Sequence, residues 1–131
     1  MPGAIPHIIA GFALFFIGRY YYKNFFNEND KSIKLSLLLF TSLLFSIITD
    51  FLLILYYLNL TNEFSWSSKS DVLPYHNLLH IILFIFALVG LIAIKYFSHI
   101  KNKPIWIIGI WAIILHITMD LFLPDITSIW I

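Results

Sequence analysis

Four long apolar runs limit what this chain can fold into. They cover approximately residues 5–22, 33–58, 75–97 and 104–123. About 20 helical residues cross a hydrocarbon core. Inside lipid every backbone N–H and C=O needs a partner within the protein, so only helices and closed barrels cross it. The runs lack the apolar–polar alternation of a barrel strand. They therefore predict an all-α integral membrane protein: a four-transmembrane-helix bundle, folded as a single domain over residues 1–131. Composition agrees. The chain is 60% hydrophobic and 11% charged, against about 25% charged in an ordinary soluble domain. Pro104 suits a first helical turn and Pro124 a stop just past the last helix. The first residues carry neither a basic stretch nor a clear small-residue cleavage site, so the first run is expected to stay in place rather than to be a removable signal peptide. With no cysteine, disulfides and thiolate metal sites are excluded.

The connections orient the bundle. Polar loops are expected at Lys23–Lys34 and Thr61–Asp71, the latter partly interfacial through Phe64 and Trp66, with a short link at Ser98–Lys103. Arg19, Lys23, Lys31, Lys34, Lys95, Lys101 and Lys103 fall on one side of the membrane, and only Lys69 on the other. Positive charge marks the cytoplasmic side, so both termini and the second loop are expected outside. The basic side also suits contact with anionic lipid. Nothing else in it indicates nucleic acid.

Six ionisable residues sit in or at the edge of the apolar runs: His7, Asp50, His76, His80, His116 and Asp120. Alternating helix directions bring all six to the outer side, within roughly 12 Å of the helix ends at 1.5 Å per residue. His76 and His80 are four apart and share a helix face, as do His116 and Asp120. Each ionisable face continues into small residues: His7 with Ala4, Gly11 and Gly18; Asp50 with Ser46 and Ser42; His80 with Ala87 and Gly90; His116 with Ala112 and Gly109. Small residues mark close helix contacts in membranes, so the six are expected to face one another.

Charge inside hydrocarbon is costly and usually functional. Imidazole nitrogen and carboxylate oxygen are ligands for zinc, and also suit iron or manganese. Two i, i+4 pairs and two single residues can serve one divalent ion with an acid/base group beside it, or two ions bridged by a carboxylate. Plainer readings exist for each. His7 could sit among head groups. Asp50 could make a polar contact with Ser46 or a tyrosine, and His76 could belong to a loop-to-helix junction. His80, His116 and Asp120 could form a hydrogen-bonded cluster without metal. His99, Glu63, Asp71 and Asp125 read as solvated. Trp106, Trp111, Trp130 and Tyr20–Tyr22 read as interfacial belt and packing residues.

The ordered motifs PHIIAG (His7, Gly11), IITDFLL (Asp50), YHNLLH (His76, His80) and HITMDLFLP (His116, Asp120) resemble those of the YdjM-like membrane-bound metal-dependent hydrolases, also described as LexA-binding inner-membrane proteins. The resemblance covers most of the chain and implies a metal-dependent hydrolase in a plasma membrane of prokaryotic type. The chain departs from the family pattern at two motifs. Asp50 stands alone where a second aspartate is common. Asn77 and Leu79 stand where arginine and threonine are common, so an arginine contact to an anionic substrate is missing.

Three functional classes follow. The first is a hydrolase acting on a lipid or lipid-linked ester or phosphoester that enters sideways from the bilayer. His80, His116 and Asp120 would hold the metal, with His7, His76 and Asp50 completing a second ion or acting as base. The second is a metal-ion or proton transporter, against which the inner halves of the runs lack ionisable residues. The third is a non-catalytic membrane protein binding metal, or haem through two histidines such as His80 and His116. A bundle this small could also form a homo-oligomer.

Overall fold

A computed structural model describes residues 4–27, 30–61, 69–97 and 99–122; side chains are described for these except at 4, 49, 52–74 and 76. The described chain is helical without strands: α1 Ala4–Tyr21, α2 Lys23–Phe26, α3 Lys31–Thr61, α4 Lys69–Tyr96 and α5 Lys103–Phe122. Three helices contain stretches long and apolar enough to cross a membrane, Lys31–Ile48, Asn77–Tyr96 and Lys103–Phe122. The apolar stretch Ile5–Tyr21 in α1 is shorter.

The boundaries depart from the expected ones around the first and second connections, and α3 runs past both ends of the expected 33–58. The Lys23–Lys34 connection is not wholly a polar loop. It contains α2, and Phe26 is only 1% exposed, packed with Leu38, Ile105 and Ile108. Two adjacent phenylalanines therefore pull this segment onto the bundle. Lys34 holds it there, donating from Nζ to the Phe25 carbonyl at 3.2 Å while lying over the Phe25 ring. The third long helix begins at Lys69, not Tyr75, so Lys69–Asp71 is helical rather than loop. Thr61, also expected in that loop, is the last residue of α3. Residues 62–68, with Glu63, Phe64 and Trp66, lie outside the described residues, as do Leu123, Pro124, Asp125 and Trp130.

Asp30 and Asn102 set the starts of α3 and α5. Both have positive φ, 68° and 57°, a conformation that short polar side chains tolerate best after glycine. The Asp30 carbonyl then accepts from Lys34 N, and that of Asn102 from Ile105 N.

Helices α3 and α5 form the centre, packing against each other and both against α1 and α4, while α2 rests on α1 and α3. The pattern on α4 shows which of its faces packs on the bundle. Ala87 is 1% exposed and the neighbouring Phe86 is 66% exposed. Ala87 lets α4 approach the bundle, with Leu83, Leu91 and Ile94 partly buried beside it, while large apolar side chains such as Phe86 cover the outside, a pattern that fits helices in a membrane. The small residues admit the backbones. A Cβ added at Gly109 would stand 2.5 Å from the Phe45 ring and 2.7 Å from Thr41 Cγ2. Gly109→Leu should therefore push α5 off α3. The expected loss is about 1–3 kcal/mol or more, read as a lower unfolding midpoint in detergent; an unchanged midpoint would contradict this packing.

Candidate metal centre

At one end of the bundle, α1, α3, α4 and α5 deliver His7, Asp50, His80, His116 and Asp120 to a single cluster. His7 and His116 are 0% and 1% exposed, and His80 7%. The Asp120 side chain is 3% exposed and that of Asp50 24%. Asp120 is the centre. Its Oδ1 lies 3.1 Å from His7 Nε2, and its Oδ2 lies 3.1 Å from His80 Nε2 and 3.3 Å from His116 Nε2. Asp50 stands opposite, 3.9 Å from His7 Nε2 and 4.0 Å from His116 Nε2. The His7 and His116 rings are 4.1 Å apart between centroids, tilted by 34°.

Five of the six residues singled out in the sequence thus meet. The sixth, His76, lies one turn before His80 in α4, and its side chain is outside the described residues. His99 is exposed, beside Phe97, and Asn77 is exposed too.

The helix faces bring the cluster together as the small-residue pattern requires. Gly11, Gly18, Ser42, Ser46, Ala87, Gly109 and Ala112 are buried, Gly90 is half-buried, and the Ala4 side chain lies outside those described. Ser42 and Ser46 turn their hydroxyls back to the carbonyls of Leu39 and Leu43, at 3.0 and 2.8 Å. This satisfies them within α3 and leaves room for α1. A Cβ on Gly11 would meet Ser46 Oγ at 2.7 Å and the Ser42 carbonyl at 3.1 Å. Gly11 lies one turn from His7, so it sets how closely that imidazole approaches the carboxylates.

One contact was not legible in the sequence. His116 Nδ1 donates to the backbone carbonyl of Ser46 at 2.7 Å. A helix carbonyl has a second lone pair beyond the one its own turn uses. The bond assigns the proton to Nδ1, so a neutral His116 presents the Nε2 lone pair to the two carboxylates. At Asp120 the approach of 3.3 Å is not in hydrogen-bonding geometry. Lone pair facing carboxylate is repulsive unless a metal ion or a second ring proton lies between them. Metal-bound histidines commonly fix their other ring nitrogen in this way, on a backbone carbonyl.

His7, Asp50, His116 and Asp120 each offer one ligand atom, and these atoms lie within 4.8 Å of one another. The group could hold one metal ion. Two carboxylates carry two negative charges, which a divalent cation would neutralise, and a neutral cluster is far cheaper to bury in a low-dielectric interior. Imidazole and carboxylate do not distinguish zinc from iron or manganese. The residues present fit such an ion. His80 stands against Asp120 from outside this group of four. The group of four thus joins His7 and Asp50 to His116 and Asp120, while His80 touches the same Asp120 carboxylate at 3.1 Å.

No protein-family model, curated protein or solved structure matches this chain.

Proposed function

We propose that the protein is a four-span membrane hydrolase that uses one divalent metal, held by His7, Asp50, His116 and Asp120, to cleave an ester or phosphoester of a lipid or lipid-linked substrate. The observation that carries this reading is the His116 ring. Its Nδ1 is committed to Ser46, and its Nε2 is aimed at two carboxylates. The bound metal would supply Lewis acidity at the scissile group and ease deprotonation of a water near neutral pH.

The chain's own residues divide the remaining work. Asp50 is the most open member of the cluster, so its carboxylate is the one able to meet substrate and take a proton from water. Asp120 is enclosed by three imidazoles and serves to hold them in register. His80 braces Asp120, and His76, one turn away, is the further acid/base candidate. A large share of the long apolar side chains lies on the outside of the bundle. An amphiphile reaching Asp50 from the bilayer would pass between apolar side chains rather than through water.

Transport is the weaker reading. Buried apolar residues form two groups, Phe26, Leu38, Ile105 and Ile108, and Ala87, Ile110, Ile113 and Ile117. Among the described residues the other buried polar ones are Thr41, Ser42 and Ser46, and the two serine hydroxyls are already turned to the carbonyls of Leu39 and Leu43. Among the described residues, these apolar cores offer an ion no ligands.

In the proposed topology α1 is the fourth span, because it packs beside α3 and α5. Both termini then lie outside the cell, with the metal centre in the outer leaflet of a plasma membrane, by the lysine and arginine bias. The ordered motifs resembling YdjM-like hydrolases support the same chemistry. Cysteines placed between residues 61 and 71 should react with an impermeant thiol reagent in intact cells, and cysteines between residues 23 and 34 should not. The reverse pattern would overturn the outward-facing site. The catalytic part is tested by metal-dependent hydrolysis of acyl ester and phosphodiester lipids in mixed micelles. Activity should vanish on chelation and return with added metal. Activity indifferent to chelation would contradict it.

A further inference from the structure

The opposite end of the bundle gathers basic side chains that the metal cluster does not involve. Arg19 lies 12 residues beyond His7 in α1, about 18 Å along the helix axis. There Arg19 from α1, Lys23 from α2 and Lys31 from α3 line a cavity of about 370 Å³, together with Phe16, Tyr20 and Phe26. That volume is within the range of small-ligand sites. Among the described residues none of the three cations is ion-paired, and no carboxylate lines the cavity. Their neighbour Lys34 is instead engaged with Phe25.

Membrane orientation requires positive charge near the span ends. It does not require three cations from three helices to be gathered around one hollow. We propose that this cavity binds the phosphate head group of an anionic phospholipid. Arginine suits phosphate because its planar fork donates two parallel hydrogen bonds, and lysine adds point charge. Phe16 and Tyr20 are 59% and 76% exposed. They extend from the cavity along α1, where acyl chains would lie, and tyrosine favours the head-group level. Anionic lipid is concentrated in the cytoplasmic leaflet, the side to which the charge bias assigns this end.

The test is native mass spectrometry of the full chain in detergent, titrated with phosphatidylglycerol, phosphatidylcholine or inorganic phosphate. Phosphatidylglycerol should be retained in preference to phosphatidylcholine, and inorganic phosphate should not displace it. Arg19→Gln, Lys23→Gln and Lys31→Gln together should weaken phosphatidylglycerol binding at least about tenfold, since each basic side chain near the surface contributes several-fold. Lys95→Gln, Lys101→Gln and Lys103→Gln remove the same charge from the same end and should weaken it less than about twofold. If the triple variant loses its helical circular dichroism, the pair Lys23→Gln and Lys31→Gln should still weaken binding several-fold. Equal losses in the two triple variants would reduce the site to a diffuse field and overturn the proposal. Tight binding of inorganic phosphate with displacement of lipid would also overturn it, as would equal retention of both lipids.

Discussion

Asp120→Ala should cost the protein its metal. The carboxylate stands within 3.1–3.3 Å of three imidazoles. Its removal takes away a ligand and the charge that holds His7, His80 and His116 in place. Loss of a supporting contact at a metal site typically costs 10–100-fold in affinity. Loss of this carboxylate should weaken binding by more than about 100-fold, measured by isothermal titration with zinc or by retained metal after gel filtration. His116→Ala should behave similarly, because it removes the nitrogen that Ser46 orients. Ser46→Ala is the contrast. Its backbone carbonyl remains and its hydroxyl is turned to Leu43, so metal affinity should change by less than about threefold. Unchanged affinity in Asp120→Ala would show that the carboxylate is a structural contact and that the metal, if bound, sits elsewhere.

Asp50→Asn should abolish turnover. The substitution keeps the shape of the side chain but removes its charge and basicity. Loss of a positioned general base lowers rates about 10²–10⁴-fold. Asp50 also belongs to the group of four potential ligands, so metal-dependent stabilisation in detergent should fall along with activity. If stabilisation by zinc persists while hydrolysis of a lipid-type ester or phosphoester is lost, Asp50 acts as base alone. A fully active Asp50→Asn protein would move the catalytic centre away from this cluster.

The residues that could be read without a structure were those with a periodic or energetic signature. His116 and Asp120 are four apart, Gly11 and Gly109 continue the polar faces of their helices, and an aspartate in an apolar run demands a partner. Each of these has the buried or clustered position that the pattern required. What could not be read has no side-chain signature. The Ser46 carbonyl that orients His116 is backbone, and its use depends on how α3 and α5 cross. Which aspartate would be enclosed was equally hidden. Asp120 and Asp50 are both carboxylates in apolar runs of the sequence, and only the packing of α1 and α4 against α5 surrounds one and leaves the other part-open. Phe26 was masked by polar neighbours, Asn24 and Asn27, which suggest a loop although the phenylalanine drives the segment into the core. The early start of α4 was masked in the same way by Lys69, Ser70 and Asp71, whose polarity describes their surroundings better than their backbone.

The most direct test is the metal content of the wild-type protein, purified in detergent without added metal and measured by inductively coupled plasma mass spectrometry before and after chelation. The expected result is about one equivalent of a divalent transition metal per chain, as a four-ligand site would hold. Chelation should remove it with a fall in the unfolding midpoint, and added metal should restore both. Protein that contains no such metal, takes none up on titration, and unfolds at the same temperature with and without a chelator would contradict the account, leaving His7, Asp50, His80, His116 and Asp120 as a buried polar cluster.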